Sequence, residues 1–126
     1  MLRHFQTREF AENIHYLHTT PMPKTYQEWE SLHKPDQVRF VQLSQEMESI
    51  GLLLAERLIS IDLLDKTLGT FVSNSWEQFK PVIIDMREKN ADPFLNEYFQ
   101  WMAEQIDRRM KERPRTPFFL SSETAV

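Results

Sequence analysis

The 126-residue sequence contains no cysteine and only two glycines, Gly51 and Gly69. Without cysteine there is no disulfide scaffold, no thiolate zinc site and no cysteine nucleophile. The scarcity of glycine disfavours an all-β fold, which needs glycine at many turns, and it also disfavours the glycine loops that cradle phosphates. Hydrophobic residues make up 40% of the chain and aromatic residues 12%, which is enough to form one buried core.

The sequence also lacks a long hydrophobic run and an excess of positive charge. No apolar stretch approaches the roughly 20 residues that a transmembrane helix requires. Residues 1–10 lack the apolar segment of a signal peptide. The formal net charge is −4, so we expect no binding to duplex nucleic acid. We therefore expect a cytoplasmic protein.

Apolar residues recur at helical spacing through most of the chain, and the clearest stripe lies in residues 38–60. Its members are Phe40, Leu43, Met47, Ile50, Leu54 and Leu58. The second half of this segment is apolar on its other faces too, so we expect a central helix that is buried on all sides. We expect Gly51 to mark the place where a neighbouring helix crosses it closely.

Capping residues and prolines divide the rest of the chain into further helices. The pattern predicts them over residues 7–18, in a short segment from residue 25, and over 62–68, 70–89 and 93–111. Thr7 caps the first, and Thr25 with Glu28 forms a capping box at the second. We expect Gly69 to end the helix that precedes it, and Pro81 to lie inside the next helix or to begin its second half.

These elements predict an all-α fold in a single domain. We expect a compact orthogonal bundle of five to six helices around a central buried helix, formed by residues 1–111. Residues 112–126 follow two prolines and carry no continuing stripe, so they are predicted to form a flexible tail.

No set of residues has the pattern of a catalytic or metal site. His15 and His18 are spaced to share a helix face, but no acidic residue completes a metal-ligand spacing. Ser73 and Ser75 lie inside a helical pattern, where hydroxyl groups usually bond to the backbone or to solvent. We therefore expect no enzymatic activity, no metal and no cofactor. Two acids facing each other inside a pocket would instead indicate an enzyme.

Basic residues with aromatic neighbours occur in two parts of this acidic chain, near the N-terminus and around the short second helix. In a nucleotide site, cations hold the phosphates and an aromatic ring stacks on the base. We therefore predict a site for a small anionic ligand, formed by Arg3, Arg8, Lys24, Tyr26, Trp29, Lys34 and Arg39. The alternative interpretation of these residues is an ordinary solvated surface.

Aromatic residues are more numerous than the helix stripes have room to bury. Phe94, Trp101, Phe118 and Phe119 lie outside the main stripes. Exposed apolar area of this kind often becomes an oligomer interface, so we expect a homo-oligomer. A second hypothesis for function is a protein–protein interaction or scaffold module that binds no small ligand.

Residues 36–106 carry a set of markers: the Ile50-Gly51 step, the acidic turn from Ser60 to Asp65, Gly69, and Trp76-Glu77 followed by Pro81. With these markers the segment resembles a bacterial helical family designated domain of unknown function 4760. The resemblance supplies no catalytic residues. Members of the family often carry membrane-spanning helices ahead of the helical domain. Since no such helix is present here, the resemblance implies either a soluble member or the part that follows a membrane anchor.

This plan is also similar to that of membrane-anchored effectors of bacterial antiviral defence, such as those of type III CRISPR systems. In such effectors a cytosolic helical domain senses a cyclic oligonucleotide. The similarity implies a non-enzymatic sensor that binds a cyclic oligoadenylate at an oligomer interface, where a symmetric ligand fits a symmetry axis. The similarity also implies a location at the cytosolic face of the inner membrane, with any membrane contact made through a segment that this sequence does not contain.

Overall fold

The computed structural model describes residues 7–120, and this part of the chain contains helices and no strand. The five helices are α1 (Arg8–Thr19), α2 (Tyr26–Glu30), α3 (Lys34–Ala55), α4 (Ile61–Lys89) and α5 (Glu97–Glu112). A single helical turn follows at 118–120. The predicted all-α bundle of five to six helices is therefore confirmed.

Both predicted caps at the start of the chain are present. The Thr7 hydroxyl accepts a hydrogen bond from the backbone N–H of Phe10 at 3.1 Å, and α1 begins immediately after Thr7. The Thr25 hydroxyl accepts from the N–H of Glu28 at 3.1 Å. The Glu28 carboxylate accepts in turn from the backbone N–H of Lys24 at 2.7 Å. These local bonds satisfy N–H groups that a helix start would otherwise leave unpaired.

The region after the central helix forms one long helix, so the prediction of two helices separated at Gly69 is wrong. Helix α4 continues through Gly69 and through Pro81. A helix end therefore does not explain Gly69, which lies instead against two side chains of its neighbours. A Cβ atom at this position would lie 2.5 Å from Asp65 Oδ1 and 3.3 Å from Met110 Cε.

Helix α3 is buried along one face, which carries Phe40, Leu43, Ser44, Met47, Ile50, Gly51 and Leu54. The expectation that it is buried on all sides is wrong, because Leu52 is 41% exposed. The helix also begins and ends earlier than the stripe predicts. The backbone turns at Arg57, where φ is 62°, and the N–H of Leu58 donates to the carbonyl of Leu53 at 2.9 Å. This is a Schellman-type ending, and it leaves Leu58 71% exposed outside the helix.

Helix α5 packs against both α3 and α4, and its inner residues Phe99, Met102, Ala103 and Ile106 are fully buried. It crosses α3 at Gly51. A Cβ atom on Gly51 would lie 2.3 Å from the carbonyl oxygen of Tyr98 and 2.6 Å from its carbonyl carbon. The predicted close helix crossing at Gly51 is therefore confirmed, and the two backbones meet there without an intervening side chain.

An ionic cluster joins the start of α4 to the end of α5. The Arg109 guanidinium contacts Asp62 Oδ1 at 2.6 Å and Asp65 Oδ2 at 3.1 Å, and Arg115 approaches the latter oxygen at 3.8 Å. The Asp65 side chain is 6% exposed, whereas that of Asp62 is 52% exposed. Helix α5 includes Glu112, and residues 121–126 lie outside the described residues, so the flexible tail over 112–126 stays a prediction.

Candidate ligand-binding cleft

A cleft of about 450 Å³ lies between α2, α3, the end of α4 and the connection from α4 to α5. This volume falls within the range of small-molecule sites. Its lining is mainly apolar, with Tyr26, Trp29, Phe40, Val41, Ile83, Met86, Phe94 and Leu95. The polar lining residues are Ser44, Gln45, Glu48, Asn90 and Asn96. Among the described residues, no lysine, arginine or histidine lines the cleft.

Helix α2 is held in place by polar and aromatic contacts. The backbone N–H of Tyr26 donates to the carboxylate of Asp85 on α4 at 2.7 Å. The side-chain amide of Gln37 on α3 donates to the carbonyl of Trp29 at 3.2 Å. The Trp29 ring packs edge-on against Phe40, with ring centroids 6.1 Å apart. These contacts place the two aromatic residues of α2 on the cleft.

Arg87 on α4 holds the connection that forms another wall. Its Nε donates to the carbonyl of Leu95 at 2.8 Å, and Nη2 donates to the carbonyl of Asn96 at 3.4 Å. Its Nη1 donates to Gln100 Oε1 at 2.6 Å. The guanidinium carbon also lies 6.0 Å from the centroid of the Trp76 ring, a cation–π distance. The guanidinium group therefore fixes the end of the connection and the first turn of α5 together.

Two buried polar atoms on cleft-lining residues have no hydrogen-bond partner: Asn96 Oδ1 and Trp29 Nε1. Asn96 is 6% exposed and has φ 53°, a left-handed conformation that asparagine tolerates better than most residues. Its Nδ2 donates to the carbonyl of Ser44 at 3.2 Å, which leaves the oxygen as an unused acceptor. An unsatisfied buried polar group costs about 1–3 kcal/mol. The residues that line the cleft therefore include one buried donor and one buried acceptor without a partner.

Glu48 supplies the one carboxyl group among the described lining residues. Its Oε1 accepts from the backbone N–H of Phe99 at 2.7 Å. It thereby caps the start of α5, where Asn96 makes no side-chain capping bond. Burial raises the pKa of Glu48 above its ordinary value, and the nearby charge of Glu97 acts in the same direction. Backbone hydrogen bonds and Arg87 lower the pKa and oppose this effect. No cation of the described residues lies within ion-pair distance of Glu48.

The structure places the predicted aromatic and basic site residues on different surfaces. Tyr26 and Trp29 line the cleft, whereas Arg8 and Arg39 line a groove of about 510 Å³ along α1. Arg39 also lines a neighbouring groove of about 450 Å³ with Lys34. The two aromatic residues thus share one cavity. Arg39 shares one groove with Arg8 and another with Lys34, but none of these cations lines the cavity of the aromatic residues.

The predicted basic residues have contacts of their own. Arg8 pairs with Glu12 at 2.9 Å on an exposed part of α1, and the Arg39 guanidinium carbon lies 5.7 Å from the centroid of the Tyr16 ring. Lys24 lies in the exposed connection before α2 and contributes its backbone N–H to the capping box. Arg3 lies outside the described residues.

Sequence reasoning did not identify Glu48, Arg87 or Asn96 as residues of the site. An asparagine just before a helical stripe is a common capping signal, but the Asp92-Pro93 pair upstream offered a stronger one. Glu48 and Arg87 have the pattern of solvated helix faces. No local pattern marks either one as a partner of the α4–α5 connection. In the part of the chain that the structure describes, no three histidine or acidic residues are grouped to hold a metal ion.

The protein is thus an all-α helical bundle, and its cleft has the size of a small-ligand site. A family model described as Domain of unknown function (DUF4760) matches residues 1–106, and the chain belongs to this family. The resemblance expected for residues 36–106 is therefore confirmed over a longer range. The chain matches no curated protein and no solved structure. None of the helices within residues 7–120 is long and apolar enough to cross a membrane.

Proposed function

We propose that this protein is a non-enzymatic sensor domain that binds a small molecule in the cleft. The observation that carries the proposal is the unpaired donor Trp29 Nε1 and the unpaired acceptor Asn96 Oδ1 on one mainly apolar cleft. Nearly all buried polar atoms in folded proteins have a partner, so each exception needs an explanation. A ligand with one acceptor and one donor would satisfy both atoms and recover part of the cost of leaving them unpaired.

Binding at these two atoms requires a small rearrangement of the protein. Both atoms are buried in the cleft wall, so a ligand reaches them only after the side chains of Trp29 and Asn96 rotate. A ligand that prefers the rotated conformation shifts the population of the protein toward it. This coupling between occupancy and conformation is what a sensor needs.

The cyclic oligoadenylate expected from sequence is an alternative ligand, and its phosphates would have to lie outside the cleft, since no lysine, arginine or histidine of the described residues lines it. Tyr26 and Trp29 provide aromatic surface for a base. Lys34 and Arg39 provide cations elsewhere on the surface that α1 and α3 form. With this ligand, the proposal extends to a homo-oligomer in the cytoplasm or at the cytosolic face of the inner membrane. Its role would then resemble that of a type III CRISPR antiviral effector with a membrane anchor.

Nuclear magnetic resonance of the indole N–H groups tests binding in the cleft. The chain has three tryptophans, and Trp29→Phe and Trp101→Phe assign their three signals. The probes are adenosine, cyclic tetraadenylate, cyclic hexaadenylate and 2-phenylethylamine, each added to millimolar concentration. We expect at least one probe to shift the Trp29 indole and Asn96 amide signals saturably, and to raise the melting temperature. The Trp101 signal, from a different surface, is the control. A Trp29 signal that no probe moves would refute binding in the cleft.

A second candidate function is a protein-interaction module, and exposed apolar side chains favour it. The four aromatic residues expected to be in excess are exposed, with Trp101 at 38% and Phe94 at 69%. Trp101 and Leu58 line a groove of about 460 Å³ at the turn between α3 and α4. If this groove is an interface between copies, Trp101→Ala should weaken a dimer measured by light scattering, while Phe94→Ala should leave it intact. A parent protein that is strictly monomeric at high concentration would count against this candidate.

A further inference from the structure

The described residues that line the cleft include a negatively charged group but no positively charged one. Glu48 is a carboxyl group, and no lysine, arginine or histidine of the described residues lines the same cleft. The rings of Tyr26, Trp29, Phe40 and Phe94 contribute aromatic surface. The faces of aromatic rings carry negative electrostatic potential and attract cations. The carboxylate and the rings therefore favour positive charge in the same space.

We infer that the cleft selects an organic cation, an ammonium or amidinium group on an apolar or aromatic body, over an anion of the same shape. This inference rests on the proposed function, because it names the ligand class of the same cleft. The N–H groups of the cation would donate to the Glu48 carboxylate and to the unpaired Asn96 Oδ1. The apolar body would pack on the rings of the lining, and an acceptor on the ligand would bind Trp29 Nε1.

Glu48 is available to such a ligand because its surroundings do not neutralise it. Its hydrogen bonds come from the backbone N–H groups of Phe99, at 2.7 Å, and of Tyr98, and neither group carries a net charge. Arg87 is near enough to act on it electrostatically, but its guanidinium group is committed to the carbonyls of Leu95 and Asn96 and to the side chain of Gln100. A carboxylate in a partly buried wall without a paired cation is costly, and a bound cation would reduce that cost.

An anionic ligand would find no such compensation in the cleft. The described basic residues predicted for phosphate groups, Arg8, Lys34 and Arg39, line the grooves along α1 and α3. An anion in the cleft would face the charge of Glu48 without a cation of the described residues beside it. Like charges that approach within a few ångströms in a wall of low polarity repel strongly.

Three matched probes test the inference: 2-phenylethylamine, 2-phenylethanol and 3-phenylpropanoate, which share a phenyl body and differ in charge. Dissociation constants come from the shift of the Trp29 indole signal. We expect the amine to bind at least about tenfold more tightly than the propanoate, which corresponds to about 1.4 kcal/mol. Glu48→Gln should abolish this preference, because glutamine keeps an oxygen that accepts from Phe99 but carries no charge. Glu77→Gln, on an exposed part of α4, changes the net charge equally and should leave the preference unchanged.

Each outcome decides a different claim. Equal or tighter binding of the propanoate would overturn the choice of a cation and leave the proposed sensor in place. Persistence of the preference in Glu48→Gln would also overturn the inference, since the charge of Glu48 would not be its cause. No binding of any of the three probes would overturn the inference, and the proposed sensor would fall with it only if adenosine and the two cyclic adenylates also left the Trp29 signal unchanged. If Glu48→Gln does not fold, the parent serves instead: its preference for 2-phenylethylamine over 2-phenylethanol, neither of which titrates in the acid range, should decline as acidification protonates Glu48. Glu97→Gln is then the control, because Glu97 is the other acid near Glu48 and its protonation could also change the preference. Arg87, the nearby cation, stays charged at these pH values and needs no control.

Discussion

Gly51→Ala should destabilise this protein, although alanine is normally the better helix former. The substitution would gain about 1 kcal/mol of helix propensity. The new Cβ atom would lie 2.3 Å from the carbonyl oxygen of Tyr98 and 2.6 Å from the carbonyl carbon. Both are backbone atoms, so neither can rotate away, and α3 and α5 would have to separate. Overpacking typically costs about 1–3 kcal/mol, and a backbone clash belongs at the upper end. We expect a net loss of about 2 kcal/mol in the free energy of unfolding.

Gly69→Ala is the matched control, because it makes the same change inside another helix. Its new Cβ atom would meet Asp65 Oδ1 at 2.5 Å and Met110 Cε at 3.3 Å. Both are ends of side chains, which can move by the few tenths of an ångström or more that are needed. The gain in helix propensity then offsets most of the strain, and we expect a change of about 1 kcal/mol or less in either direction.

Urea unfolding followed by tryptophan fluorescence measures both variants. Trp76 is a suitable reporter, since it is 3% exposed and its ring packs edge-on against Phe99 with centroids 5.1 Å apart. For a domain of this size, a loss of 2 kcal/mol lowers the melting temperature by roughly 6–10 °C. If Gly51→Ala unfolds at the same urea concentration as the parent, α3 and α5 do not cross in backbone contact. If the two variants lose the same free energy of unfolding, a clash with backbone atoms costs no more than a clash with side-chain ends, and the reasoning is also refuted.

Two further predictions concern charged groups. Asp65→Asn should lower the free energy of unfolding by about 1–3 kcal/mol, because it removes the buried charge that pairs with Arg109. The same change at the exposed Asp62 should have a smaller effect in urea unfolding, and equal effects would contradict a role for burial. The pKa of Glu48 is raised above 4.5 in the folded protein, so the folded state binds more protons than the unfolded state in the window above that value. The parent should therefore lose stability relative to Glu48→Gln as pH rises from about 4.5 toward neutral, and a difference independent of pH would contradict the raised pKa.

The elements that sequence predicted well depend on short-range signals. The hydroxyl groups of Thr7 and Thr25 cap helices by bonding three residues along the chain, and such spacing is visible without a structure. The continuity of α4 was missed for the opposite reason. Gly69 has the local pattern of a helix end, but its small size serves contacts with Asp65 and with Met110 on another helix. Only the packing of α4 against α5 distinguishes these two roles of glycine.

The cleft was predicted only in part because its polar residues come from distant positions in the chain. Tyr26 and Trp29 were found from their aromatic character on a short helix. The bonds of Asn96 to Ser44 and of Phe99 to Glu48 join residues 52 and 51 positions apart, so no local pattern marks them. Clustered cations in sequence were likewise a poor guide to a shared cavity, because side chains on one helix point to several faces.

If the proposed ligand binds, the contact between Gly51 and Tyr98 limits where the resulting change can spread. Asn96 lies two residues before Tyr98, whose backbone is pressed against α3 and leaves the first turn of α5 no room to shift toward that helix. We therefore expect any backbone shift that accompanies a rotation of Asn96 to occur on the other side, in residues 90–95. This segment carries the exposed ring of Phe94. The surface that changes on binding, and that a downstream partner would detect, should be sought around Phe94 and not along α5.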